Sequence, residues 1–245
     1  AEMRQLLPRE ISEVDLTEIE GQAGRTAPAQ RPWVMANMVT SIDGAYAVDR
    51  RSGGLGTPGD RRLFHHLRQG ADAILVAAGT ARKERYRRPH MDPEVVRRRR
   101  DRGQADHPLL VVVSRSLSFP GDLPMLTGEG ETPMVLHPRS ASATGLPPAL
   151  EARAVGELEV DMGEALKMLR DSGVERVLCE GGPNLLGQLH RADLIDEMFL
   201  TVSPSMVGGH DVGILGRTEP RPRRMERHTL IEADGALFLT YRRAG

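Results

Sequence analysis

Cysteine is nearly absent from this chain of 245 residues: Cys179 is the single example. A disulfide within the chain is therefore impossible, and a cysteine-rich zinc site is excluded. Cys179 sits in the apolar run RVLCE with no histidine near it in sequence, which reads as a buried, inert thiol and not as a nucleophile. Aromatic residues are scarce at 3%, so Leu, Val, Ile, Ala and Met have to fill the core. Neither sign of charge is in excess: the formal net charge is −1, which gives no general attraction to nucleic acid or to an anionic membrane. No apolar run approaches the roughly 20 residues needed to span a bilayer. The opening AEMRQLLPRE lacks a basic segment followed by a long apolar one, so no secretory signal is expected and cytoplasmic location is the default. The histidines show no metal-ligand spacing, and the adjacent pair His65-His66 points to different faces of its helix, so no metal is expected.

What is present is an ordinary balance of apolar (39%) and charged (27%) residues, on a length ample for a sizeable core. Residues 1–30 read as an extension, with a short helix in EISEVDLTEIEGQAG ending near Gly21 and then a linker, GRTAPAQRP. The main domain spans residues 31–245. Its first strand, over 33–42, ends at the turn signal Asp43-Gly44. Thr57, Pro58 and Asp60 form a helix start, with Leu63, Phe64 and Leu67 as the apolar face. ADAILVAAG, LLVVVSRS, TPMVLHP and RVLCE are short apolar runs typical of buried strands. The C-terminal segment reads as two strands joined at Asp234-Gly235. Strands alternating with helices and closing on a hairpin predict an α/β fold, with a mostly parallel central sheet flanked by helices and an antiparallel C-terminal hairpin. The basic run Arg97–Arg100 is flanked by acids and carries no interleaved aromatic, so it predicts a solvated face.

Ligands of open α/β sheets collect at the carboxyl ends of strands. Three junctions here carry suitable residues. In LVAAGTA, Gly79 lets a ligand approach the backbone, and Thr80 can cap the next helix while donating to a phosphate; an ordinary capped junction reads equally well. In VVVSRS, the Ser114 hydroxyl and the Arg115 guanidinium suit a phosphate monoester such as the 2′-phosphate that separates NADP from NAD; taken alone, a solvated turn explains the pair better. In CEGGPNLL, the N–H groups of Gly181, Gly182, Asn184 and Leu185 can converge on a pyrophosphate at a helix start preset by Pro183. This is not the G-x-G-x-x-G fingerprint. Glu180 beside such a cradle has to point elsewhere, either to a polar substrate or to backbone donors of the turn.

TSIDG, DRRLFHHLR, ADAILVAAGT, VVVSR, CEGGPNLLGQL and DLIDEMFLTVSPSMVGG, in this order and spacing, make the chain resemble the riboflavin-biosynthesis pyrimidine reductase domain, a relative of dihydrofolate reductase, over about residues 31–245. The resemblance implies a dihydrofolate reductase-like fold, NADPH as hydride donor, a small-molecule substrate and a homodimer. By position, it implies that Gly79, Thr80, Glu84, Ser114, Arg115 and Gly181, Gly182, Pro183, Asn184, Leu185 and Leu186 line the cofactor. Asn37, Ser52 and Arg68 would bind substrate, Arg68 through its phosphate, with Asp43 and Glu180 as the polar groups at the reaction. Residues 1–30 are too short for the zinc deaminase that precedes this domain in bifunctional members. Ala45 stands where family members often carry a basic residue, which weakens the case for the usual phosphorylated ribosylaminopyrimidine. Three functions follow in order: NADPH-dependent reduction of an aminopyrimidine in riboflavin synthesis, the same chemistry on a dihydropterin or dihydrofolate, and nucleotide binding without turnover.

Overall fold

The computed structural model describes residues 2–20, 25–48, 52–209 and 212–244, with the side chains of Glu20 and Ser52 also left undescribed. The first half of the chain contains β1 (Arg4–Leu7), α1 (Leu16–Glu20), β2 (Trp33–Ser41), α2 (Pro58–Gly70), β3 (Ala73–Ala77), α3 (Ala78–Lys83), α4 (Pro93–Asp101) and β4 (Leu109–Val113). The second contains β5 (Met134–His137), β6 (Glu151–Ala154), α5 (Met162–Asp171), β7 (Arg176–Cys179), α6 (Pro183–Arg191), β8 (Glu197–Ser203), β9 (Met225–Ala233) and β10 (Ala236–Arg243). The strands make one sheet in the order β1-β9-β10-β8-β2-β7-β3-β4-β5-β6. From β8 to β6 every pairing is parallel. The β8–β10, β10–β9 and β9–β1 pairings are antiparallel. The expected architecture is the one observed.

Strand periodicity sorts the core onto the two faces of the sheet. β2 sends Val34 and Ala36 to one face and Met35 to the other, and β7 divides Val177 and Cys179 from Leu178 in the same way. Leu166 and Leu169 of α5 and Leu185, Leu186 and Leu189 of α6 cover the first face. Leu63 and Leu67 of α2, with Leu16 and Ile19 of α1, cover part of the second. Each such leucine contributes about 1.5–3 kcal/mol relative to exposure. Cys179 is fully buried, and burial pushes its thiol up to about 12, as expected of an inert group.

Helix α2 starts as its sequence predicts. Thr57 caps it by accepting the Asp60 N–H at 3.1 Å, and Pro58 occupies the first turn. The hairpin turn then locks onto this start, because Asp234 accepts the Gly59 N–H at 2.6 Å.

Four expectations change. The extension does not stand apart from the domain: β1 adds an edge strand to β9, and Met3, Leu16 and Ile19 join the core. The helix end expected near Gly21 lies outside the described residues. Arg97–Arg100 is not a uniformly solvated face, because Arg99 is fully buried and donates to the carbonyls of Gln69, Ala71 and Ala105, tying α4 to the end of α2. Strand β6 was not anticipated; its half-exposed sequence, EARA, carries little strand signal, and its edge position relieves it of the need for one. Finally, Thr80 does not cap α3: that helix starts at Ala78, after Ala77, with no side-chain cap.

Candidate active site

A cleft of about 670 Å³ opens where β2, β7 and β3 end, between α2 and α3. Asn37, Met38 and Val39 of β2 form its floor, and Asp60, Arg61, Phe64 and Arg68 of α2 line it. Thr80, Glu84 and Tyr86 come from α3 and the chain after it, and Glu180, Gly182 and Pro183 from the β7–α6 junction.

Glu180 follows the last residue of β7 and is buried. Arg68 grips it from α2 with two hydrogen bonds of 2.7 Å, Nε to Oε1 and Nη2 to Oε2. The Tyr86 hydroxyl donates to Oε2 at 2.6 Å. The guanidinium also stacks over the Phe64 ring, 4.2 Å from its centre. Burial opposes the Arg68 charge, but facing Glu180 outweighs it and raises the pKa on balance. Burial, with the Glu180 charge, pushes the Tyr86 phenol well up, so it remains a donor. Arg68, expected to hold a substrate phosphate, therefore has two of its donors committed to a protein carboxylate. Other cations line the same cleft, at Arg61, Lys83 and Arg87.

The β7–α6 turn fits a close backbone approach. Gly182 precedes α6 and Pro183 opens the helix. A β-carbon on Gly182 would stand 2.8 Å from Thr80 Oγ1, while one on Gly79 would meet nothing within 4 Å. Gly181 has φ +81°, in the region that favours glycine. The start of α6 thus lies so close to Thr80 of α3 that a side chain on Gly182 would clash with its hydroxyl, whereas one on Gly79 would enter open space. Leu185 and Leu186 turn into the core, so only main-chain groups of theirs can face a ligand, and the Leu186 N–H is already taken by the Gly182 carbonyl. Asn184 sits against Gly216, where a β-carbon would come within 2.6 Å of its Oδ1.

The remaining expected residues are less central. Ser114, at the end of β4, is buried and its Oγ accepts the Leu117 N–H at 3.1 Å, while Arg115 beside it is exposed. Both lie one strand beyond Thr80 along the sheet edge. Asp43 does not line the cleft. Its carboxylate accepts from Ser41 Oγ at 2.5 Å and from the N–H groups of Gly208 and Val207 at 2.7 and 3.1 Å. Those bonds, the Ser41 one foremost, hold it far below the usual carboxylate range and tie the end of β2 to the Val207-Gly208 loop. Ser52 begins a short 3-10 turn, and its side chain lies outside the described residues. Sequence reasoning missed Tyr86, hidden in a polar loop, and saw Asp60 only as a helix-start acid. Among the described residues, no helix is long and apolar enough to cross a membrane.

The model of the RibD C-terminal domain family matches residues 32–234. The chain is 30% identical over 189 residues to the 2,5-diamino-6-ribosylamino-4(3H)-pyrimidinone 5′-phosphate reductase of Methanothermobacter thermautotrophicus, an alignment covering 76% of this chain and 83% of that protein. A pyrimidine reductase-like protein from Corynebacterium diphtheriae superposes with a TM-score of 0.83 at 24% identity, over 95% of this chain and 100% of that one. Dihydrofolate reductase from Enterococcus faecalis, complexed with NADP(H), superposes with a TM-score of 0.50 at 13% identity, over 87% and 97% of the two chains. The likeness to these structures is one of fold, and it bears out the dihydrofolate reductase-like expectation.

Proposed function

The chain belongs to the RibD C-terminal domain family, and from that premise we propose that it is an NADPH-dependent reductase of a phosphorylated ribosylaminopyrimidine in riboflavin synthesis. The observation that carries the reading is the meeting in one cleft of a glycine-lined gap, Gly182 against Thr80, with the braced carboxylate of Glu180. NADPH supplies a hydride when bound. The N–H groups of Gly182, Asn184 and Leu185 and the Thr80 hydroxyl would hold its pyrophosphate, where the dipole of α6 favours negative charge. Exposed Arg115 would meet the 2′-phosphate with its fork of donors.

The substrate half of the cleft follows from the other wall. Glu180, held in place by Arg68 and Tyr86, is a fixed acceptor for the amino and ring N–H groups of an aminopyrimidine. Asn37 adds a donor and an acceptor on the floor. Arg61, Lys83 and Arg87 supply the positive rim that a 5′-phosphate requires, the role first expected of Arg68. The cytoplasmic location and the homodimer belong to the same proposal, and sedimentation of the pure protein tests the dimer.

Steady-state oxidation of NADPH with the diaminoribosylaminopyrimidinone 5′-phosphate, set beside dihydrofolate, tests the assignment. Turnover of the pyrimidine is expected. Turnover of dihydrofolate alone transfers the enzyme to pterin chemistry, and tight NADPH binding without any oxidation makes it a nucleotide-binding protein.

A further inference from the structure

Reducing a C=N bond needs a proton on nitrogen as well as a hydride on carbon, and neither of the two carboxyl groups expected at the reaction is placed to supply it. Asp43 is ionised and outside the cleft, and Glu180 accepts three times over from Arg68 and Tyr86.

Asp60 is placed differently. It stands in the first turn of α2, three residues after the capping Thr57. An acid there commonly turns back to the N–H of the cap. Here the side chain turns into the cleft instead, where fully buried Thr201 of β8 donates to Oδ1 at 2.6 Å. Oδ2 lies over Gly56, also on the cleft wall, where a β-carbon would come within 3.1 Å of it. Among the described residues, Oδ2 accepts no hydrogen bond. Burial pushes this carboxyl up, against the Thr201 bond and the Arg61 charge. Arg61 on its own helix acts on it directly; Asp234 of the hairpin turn is engaged with the Gly59 N–H one residue before it, and the mutually paired Arg68 and Glu180 line the same cleft with Lys83 and Glu84.

We propose that Asp60 delivers the proton in this reduction, with Thr201 as its positioning residue. The proposal rests on the reductase reading above. In the ring-opened ribosyl imine, the carbon takes the hydride of the reduced nicotinamide as the C=N π bond breaks. The nitrogen gains a proton as the Asp60 O–H bond breaks, leaving a ribitylamine. The Asp60 carboxylate then regains a proton from water at the open mouth of the cleft.

Two measurements test it. In the ligand-free enzyme, carboxyl-carbon NMR follows the Asp60 resonance, assigned by its loss in Asp60→Asn. Its midpoint is expected above the roughly 3.9 of an ordinary Asp. Thr201→Val should move it further up, because that change removes a bond to the charged form. In turnover of the aminopyrimidine phosphate, Asp60→Asn should lower kcat by roughly 100-fold or more while KM stays within about threefold, as expected for loss of a general acid. Asp60→Glu should recover part of that loss, and Thr201→Val should shift the alkaline limb of kcat upward. An Asp60 that titrates like an exposed carboxyl, or an Asp60→Asn enzyme as fast as wild type, overturns the proton step alone. A wild type inert towards this substrate overturns the reductase reading, and the proton step with it.

Discussion

Arg68 and Glu180 meet as a two-pronged ion pair across the cleft wall, both bonds at 2.7 Å, although 112 residues separate them in the chain. The Glu180 side chain is 2% exposed and that of Arg68 19%, so the pair is largely shielded from water. Its geometry makes Arg68 a brace for Glu180 more than a hand for substrate phosphate.

Removing one partner of such a pair strands the other. Arg68→Ala is expected to cost about 3–5 kcal/mol in urea unfolding, the range for a broken buried pair, whereas Arg68→Met combined with Glu180→Met should cost far less than the two single changes added together. Additive losses would show that the two side chains act independently.

Gly182 lies against Thr80 with no space for a side chain between them. Gly182→Ala places a β-carbon about 2.8 Å from Thr80 Oγ1 and is expected to weaken NADPH binding by at least about tenfold, read by calorimetry. Adding Thr80→Ala should relieve the crowding and restore the unfolding midpoint without restoring affinity, since the gap stays filled and the Thr80 hydroxyl proposed for the pyrophosphate is lost. Full recovery of affinity in the double variant would mean that crowding of Thr80, and not the closed gap, caused the loss.

Arg115 is exposed just beyond β4, and the proposed cofactor site uses it for the 2′-phosphate. Arg115→Ala should weaken NADPH by roughly tenfold or more and leave NADH nearly unchanged, the cost of losing one charge-assisted fork. Equal losses for the two cofactors would remove it from that role.

Asp43 ties the end of β2 to the Val207-Gly208 loop, and its folded-state pKa lies well below that of an unfolded Asp. A depressed carboxyl stabilises above the unfolded value, about 3.9, and that contribution drains away as the pH falls towards the folded value. The protection factors of the Val207 and Gly208 amides, taken relative to intrinsic exchange at each pH, should therefore be high at neutral pH and fall in acid. In Asp43→Asn they should be low throughout, with little change in kcat, because the group lies outside the cleft. A large fall in kcat with unchanged exchange would return Asp43 to the reaction.

The local features could be read from residue order because their causes lie within a few residues. Thr57-Pro58 starts α2 whatever surrounds it, since the orphaned N–H groups there need an oxygen and the proline is preset for the turn. The apolar runs around Ile74 and Val111 had to become buried parallel strands, and Gly181-Gly182-Pro183 had to turn into a helix. What the order of residues left open is the choice of partner for each polar group. Arg99 looked solvated until α4 packed on the end of α2 and buried it against carbonyls. Asp60 became a cleft acid only when β8 brought Thr201 to it from 141 residues away. Glu180 acquired Arg68 and Tyr86 only when β7 slotted between β2 and β3. Periodicity and capping act over one turn or one strand, whereas the partner of a buried charge is set by which strands lie side by side.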